Sequence, residues 1–377
     1  MKPVLIVGPR PNLMKASPVM DAFSKHKIKP ILINTGQHYD EELSKILFDD
    51  LKLTKPDVNL NVGVSSLAKG SRIKKGISFL LKIPRLSKEI KKQNPDIVLV
   101  FGDTTSTLMG AVAARLAGCK LGHVEAGLRS FNLKMPEEYN RRLVDRLSHY
   151  LFVTEKSAIK NLKKEGMAGK KIHFVGNVMI DTLKKHKSRA KKSKILKKLN
   201  LKSKKYAVLT LHRSEHIGNK KILNELLNAI GNIQKNIKIV WPIHPRTRRK
   251  LEKFGFNSKL KNMKNLMITN SLGYLDFLNL TDNSRFVLTD SGGLQEETTI
   301  LKIPCLTLRR ETERPVTVEK GTNIITGIKE NRITEEANKI LNGKVKKGSI
   351  PEFWDGKAAE RIVEILKFAD PIKTKGI

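Results

Sequence analysis

Three carboxylates stand where apolar runs of the chain give way to polar ones. They are Asp103 in FGDTTST, Glu125 in GHVEAGLRS and Glu137 in MPEEYNRR. Two carboxylates in one partly dry site repel, which raises one pKa and makes an acid and a base from a single residue type. Such a set suits proton transfer at carbon or glycoside-type chemistry. Taken singly, Glu137 and Glu138 also fit an acidic first helical turn after Pro136. The carboxylates lack the close spacing of a dedicated metal site, so no metal is expected.

A second cluster, LTDSGGLQEE, holds Ser291, Gly292 and Gly293 between an apolar run and a helix-forming segment. Backbone N–H groups there can receive a phosphate, with no Cβ in its way. Glu296 or Glu297, one turn further, can accept hydrogen bonds from a ribose. A plain capped helix with an acidic first turn reads equally well. The cluster has no P-loop lysine and no GxGxxG spacing, which argues against an ATPase or a NAD enzyme. In GPRPNLMK, Arg10 offers a bidentate fork and Lys15 a point charge to an anion. His212 closes the run YAVLTL, where it can donate to a diphosphate or protonate a leaving group. His244 in PIHPRT has a similar setting.

These residues need a frame that brings them together. Continuous Val/Ile/Leu runs supply it: PVLIVG, PILINTG, DIVLVFGD, LGHVEA, YLFVT and IHFVGN, then YAVLTLH, IVWPIH, NLMITN, RFVLTD and PCLTLR. Continuous rather than alternating apolar runs mark parallel strands covered on both faces. Helix-like segments at 105–117, 220–235 and 296–301 fit the crossovers. The fold class is therefore α/β, with two doubly wound, Rossmann-like parallel-sheet domains that divide near residue 180. Ligands of such sheets bind beyond the carboxyl ends of the strands. The polar clusters all fall there, which places the expected site in a cleft between the domains.

Composition narrows the class. A chain of 377 residues exceeds the usual single core. No run approaches the roughly 18 apolar residues of a membrane span. Cys119 and Cys305 lie in apolar runs and offer neither a disulfide framework nor metal spacing. A cytoplasmic protein is expected. The net charge of +37 suits an anionic ligand by long-range steering. It also raises nucleic acid as a partner, but strand-end carboxylates would repel phosphate and no RNP or finger motif occurs. The acid-free lysine stretch at 184–205 reads as a solvated helix and linker.

The collinear series GPRPNLMK, TGQHYD, FGDTTST, GHVEAGLRS, PEEYNRRLVD, GNVMIDTL, LTLHRSE, GYLDFL, LTDSGGLQEE, PCLTLRRETERP and GTNIITG resembles the non-hydrolysing UDP-N-acetylglucosamine 2-epimerases. The resemblance covers nearly the whole chain. It implies a glycosyltransferase-B-like arrangement, usually a homodimer, with domains at 1–180 and 181–354 and a C-terminal helix (355–377) returning to the first. It implies inversion at C2 of a UDP-2-acetamido sugar without NAD or metal. It makes Asp103, Glu125 and Glu137 the acid/base residues and His212 the group that stabilises departing UDP. Arg10 would hold the diphosphate, with Lys15 in the same pocket. Ser291, Gly292 and Gly293 would grip the phosphates, Glu297 the ribose, and Phe277 would lie near the uracil. GPRPNLMK and LHRSEH depart from common family forms and also resemble relatives acting on 2,3-diacetamido glucuronic acid nucleotides. The sugar therefore stays open at this point.

Overall fold

The computed structural model describes residues 1–36, 41–60 and 81–368. The chain divides into two compact units, Met1–Thr182 with Glu352–Ile377, and Leu183–Pro351.

The first unit is built on a seven-stranded parallel sheet in the order β3-β2-β1-β4-β5-β6-β7. Its strands are β1 (Pro3–Val7), β2 (Ile31–Asn34), β3 (Val58–Asn59), β4 (Ile97–Phe101), β5 (Leu121–Ala126), β6 (Tyr150–Val153) and β7 (Ile172–Phe174). Every residue of β1, β4 and β5 is buried, as continuous apolar runs between two helical layers require. β4 and β5 are neighbours, with Val100 opposite His123 and Phe101 opposite Val124. The ends that carry Asp103 and Glu125 are thus adjacent in the sheet.

The second unit holds a six-stranded parallel sheet in the order β10-β9-β8-β11-β12-β13. Its strands are β8 (Tyr206–Thr210), β9 (Lys238–Pro242), β10 (Leu266–Thr269), β11 (Val287–Thr289), β12 (Cys305–Thr307) and β13 (Asn323–Ile325). Trp241, Phe286, Leu306 and Ile239 are fully buried in its core. The short edge strands β3 and β13 go beyond the strands expected from apolar runs. Each is only two or three residues long and half-buried, too short to make a run.

Both sheets reverse their winding once, between β1 and β4 in the first unit and between β8 and β11 in the second. Diverging crossovers leave a crevice at each reversal, where the carboxyl ends of the strands open to ligand. Gly8–Arg10 and Gly102–Asp103 flank the first crevice. His212–Arg213 and Asp290–Gly293 flank the second.

The C-terminal helix Ala358–Phe368 lies against the helix Arg10–Lys25 in the first unit. Asp181 accepts hydrogen bonds from the Ala358 and Ala359 N–H groups at 3.3 and 2.7 Å, filling the open N-terminus of that helix. Burial pushes the Asp181 carboxyl up to about 6 despite these two bonds. The lysine-rich 184–205 stretch is the end of the helix Val178–Ala190, the short helix Ile195–Lys198 and their connections, with most of its lysines exposed. Among the described residues, no helix is long and apolar enough to cross a membrane.

Candidate active site

In the first unit the site begins with Asn12. This buried amide receives the Gly8 N–H at 3.2 Å and donates to the Phe101 carbonyl at 2.7 Å. It also accepts from the Thr104 hydroxyl at 3.2 Å. One side chain thereby ties the loop after β1 to the loop after β4. A buried Asn at the start of an apolar helix is the signal that could have revealed it.

Lys15, one turn further along the same helix, is buried and ion-paired with Glu125. Glu125 lies at the end of β5 with φ of 76°, and the β5–β6 register shifts between Val124 and Ala126. A non-glycine residue in left-handed backbone costs on the order of 1–3 kcal/mol and persists where surrounding structure enforces it. The bulge re-aims the Glu125 side chain, which the regular pleat would place elsewhere. Lys15 also packs over Gly102, where an added Cβ would sit 2.7 Å from its Nζ.

Asp103 is held from the helix Pro136–Leu147. Its carboxylate pairs with Arg141, and its carbonyl accepts from the Asn140 amide at 2.9 Å. Glu137 and Glu138, adjacent in sequence, divide between surface and interior. Glu138 is fully buried and accepts from the Ser130 N–H at 2.9 Å and from Arg141 at 3.2 Å. Glu137 is exposed on the first turn of the same helix. Arg10 stands half-buried at the start of its helix, after Pro9.

Behind these residues runs a buried ionic chain. His123 Nδ1 lies 2.7 Å from Asp145, whose other oxygen accepts from Arg129 at 2.7 Å. Arg129 also grips Glu165 through two bonds of 2.9 and 2.8 Å. Burial alone would raise the Asp145 carboxyl, but His123 and Arg129 outweigh it and hold it below the ordinary carboxylate range.

In the second unit the organiser is Asp290, fully buried at the end of β11. It accepts from the backbone N–H of His212 at 3.0 Å and of Arg213 at 2.9 Å. It also faces His212 Nδ1 and His216 Nδ1, each at 3.2 Å. Burial would raise this carboxyl, but His212, His216 and the Arg213 N–H bring it down to about 2. The His212 ring itself is half-exposed.

Ser291 is the N-cap of the helix Gly292–Leu301, and its hydroxyl makes no capping bond. Gly292 faces the guanidinium of Arg314, where an added Cβ would come within 2.5 Å of a guanidinium nitrogen. Arg314 in turn donates to buried Glu296 at 2.5 Å. An arginine fork beside the N–H groups at a helix N-terminus makes a site with the chemistry of a phosphate receptor. Glu297 is buried on the next turn of the same helix, and Phe277 is half-buried in the first turn of the helix Tyr274–Asp282. His244 caps its own helix by accepting from the Arg246 N–H.

The structure thus gathers Asp103, Glu125 and Lys15 at one sheet reversal, and His212, Ser291 and Gly292 at the other. Asn12, Arg141, Asp290 and Arg314 complete these sets. Gln37 and His38 of the TGQH cluster lie outside the described residues.

The chain is similar to known proteins over nearly its whole length. The family profile described as UDP-N-acetylglucosamine 2-epimerase matches residues 21–367. A UDP-N-acetylglucosamine 2-epimerase of Methanococcus maripaludis is 44% identical over 367 residues, covering 96% of this chain and 97% of its own. A UDP-2,3-diacetamido-2,3-dideoxy-D-glucuronate 2-epimerase of Pseudomonas aeruginosa is 38% identical, with 97% and 99% covered. The crystal structure of Methanocaldococcus jannaschii UDP-GlcNAc 2-epimerase in complex with UDP-GlcNAc and UDP superimposes with a TM-score of 0.89. It is 40% identical and is matched over 98% of this chain and 100% of that one.

Proposed function

The chain belongs to the UDP-N-acetylglucosamine 2-epimerase family, and we propose that it interconverts UDP-N-acetylglucosamine and UDP-N-acetylmannosamine. The observation that carries this reading is Glu125: buried, forced into left-handed backbone at a strand end, and paired with Lys15.

The C2 hydrogen of an N-acetyl sugar is not acidic, so direct deprotonation is a poor route. Breaking the C1–O bond first sends the electron pair to UDP and leaves positive charge on the ring. The C2 proton then passes to a carboxylate, which gives a 2-acetamidoglycal. UDP adds back at C1 while a proton arrives at C2 from the opposite face. No net oxidation occurs, and the proton balance closes over the cycle.

In this reading Asp103, Glu125 and Glu137 exchange the C2 proton. Lys15 orients Glu125, and Arg141 does the same for Asp103. His212, beside Asp290, presents its half-exposed ring to the departing diphosphate. Arg10 adds a second cation. Ser291, Gly292 and Gly293, backed by Arg314, hold the phosphates, Glu297 accepts from the ribose and Phe277 faces the uracil. Stabilising charge where it develops on the leaving group is the largest contribution such a site can make.

We also propose a homodimer. Leu116, Phe131, Leu133, Tyr139 and Leu143 are exposed on and beside two packed helices, Thr105–Leu116 and Pro136–Leu147. Exposed apolar residues give two copies of a chain at +37 a surface to bury against each other. The free thiols of Cys119 and Cys305 suit a reducing compartment, which supports a cytoplasmic location.

Chromatography of reactions with either nucleotide sugar tests the substrate. UDP-N-acetylmannosamine should form from UDP-N-acetylglucosamine in the presence of a chelator and without added NAD. Turnover of the 2,3-diacetamido glucuronate nucleotide alone would overturn the assignment.

A further inference from the structure

His123 is fully buried on β5, two residues before Glu125, and the reaction proposed above does not use it. Both its ring nitrogens face acceptors. Nε2 lies 2.8 Å from the Gly102 carbonyl, which can only accept, so Nε2 carries a hydrogen. Nδ1 lies 2.7 Å from Asp145 Oδ1. The other oxygen of Asp145 already receives two donors, Arg129 at 2.7 Å and the Gly127 N–H at 3.2 Å. Moving a proton onto Asp145 would leave the buried Arg129 guanidinium beside a neutral acid, with Glu165 as its remaining carboxylate among the described residues. An ionised Asp145 accepts, so Nδ1 carries a hydrogen as well.

The Gly102 carbonyl belongs to the peptide unit that leads into Asp103. Gly102 adopts φ of 66°, a conformation with few intrinsic restraints on its rotation. Its N–H is fixed by the Val124 carbonyl at 3.0 Å. Its carbonyl is fixed by His123. Asp103 is thus aimed from one side by Arg141 and Asn140, and from the other through the backbone by a buried ring.

We propose that His123 is a positioning residue for Asp103, held as an imidazolium with hydrogens on both ring nitrogens between Asp145 and the Gly102 carbonyl. Its consequence for turnover rests on the epimerase reading, but its protonation does not. The groups facing it are Asp145 directly, with Arg129 and Glu165 behind. A cation buried there also offsets part of the negative charge carried by the neighbouring strand ends.

Neutron diffraction of the wild-type protein, crystallised in deuterated buffer near neutral pH, tests the protonation. Deuterium on both His123 nitrogens is expected, and a bare nitrogen facing Asp145 or Gly102 would overturn the proposal. His123→Gln, with His123→Asn as the second variant, tests the positioning. A misplacement of about 1 Å costs roughly 100-fold in rate, so kcat should fall by that order while UDP affinity is unchanged. A folded variant with full kcat, or one that loses kcat and UDP affinity alike, would overturn it. Both deuterons in a wild-type protein that fails to epimerise would count against the epimerase reading alone.

Discussion

At the scale of the residue, the carboxylates of the two units differ in their partners. Glu125 and Asp103 are each matched to a cation, Lys15 and Arg141, which fixes where each carboxylate points. Asp103→Asn and Glu125→Gln should each lower kcat by about 10²–10⁴-fold, the range of general acid–base catalysis, while calorimetry finds UDP binding retained. Full activity in both variants would remove the proton-transfer assignment. Asp290 has a different task, because its carboxyl lies at about 2 in the fold. A carboxyl depressed on folding contributes stability that is present above its ordinary pKa and is lost as pH falls through the depressed one. Asp290→Asn should therefore cost on the order of 2 kcal/mol at neutral pH. In denaturant titrations that difference should shrink between pH 4 and pH 2. A pH-independent difference would mean that the charge of Asp290 is not what matters.

At the scale of the element, strands dictate what was legible. Val98, Leu99 and Val100 announce a buried strand, and Asp103 after it announces an edge of the crevice. Apolar runs reveal such strands because both faces are covered, while β3 and β13, short and half-buried, leave no run to read. Side-chain partners were the illegible part. The Glu137–Glu138 pair looks alike in sequence, yet helical rotation buries Glu138 completely and exposes its neighbour. The Lys15–Glu125 pair joins residues 110 positions apart, which no local spacing encodes. Close backbone contacts are equally hidden. Gly176 adopts φ of 90°, and an added Cβ would come 2.0 Å from the Phe353 carbonyl in the segment that leads to the C-terminal helix. Gly176→Ala should therefore destabilise the first unit by more than the roughly 1–2 kcal/mol of left-handed backbone alone. Thermal unfolding at unchanged stability would show that the segment can move away freely.

At the scale of the whole molecule, the charge and the exposed apolar residues have separate roles. A net charge of +37 draws an anionic nucleotide towards the protein without specifying where it docks. Specificity must then come from the strand-end groups. The proposed self-association would bury the exposed Tyr139 and Leu143 of the helix Pro136–Leu147. Light scattering should find a dimer for the wild-type protein and a monomer for Leu143→Glu. A Leu143→Glu dimer would place the contact elsewhere. The collinear motifs, spread from residue 8 to residue 327, overlap most of the family match at residues 21–367.

In the proposed reaction the C2 hydrogen leaves as a proton and another returns. Proton NMR of the wild-type protein with UDP-N-acetylglucosamine in D₂O tests it most directly. The account predicts a UDP-N-acetylmannosamine signal with deuterium at C2, followed by deuterium at C2 of the remaining substrate. A manno epimer that keeps its original C2 hydrogen, or free UDP with N-acetylmannosamine, would contradict it.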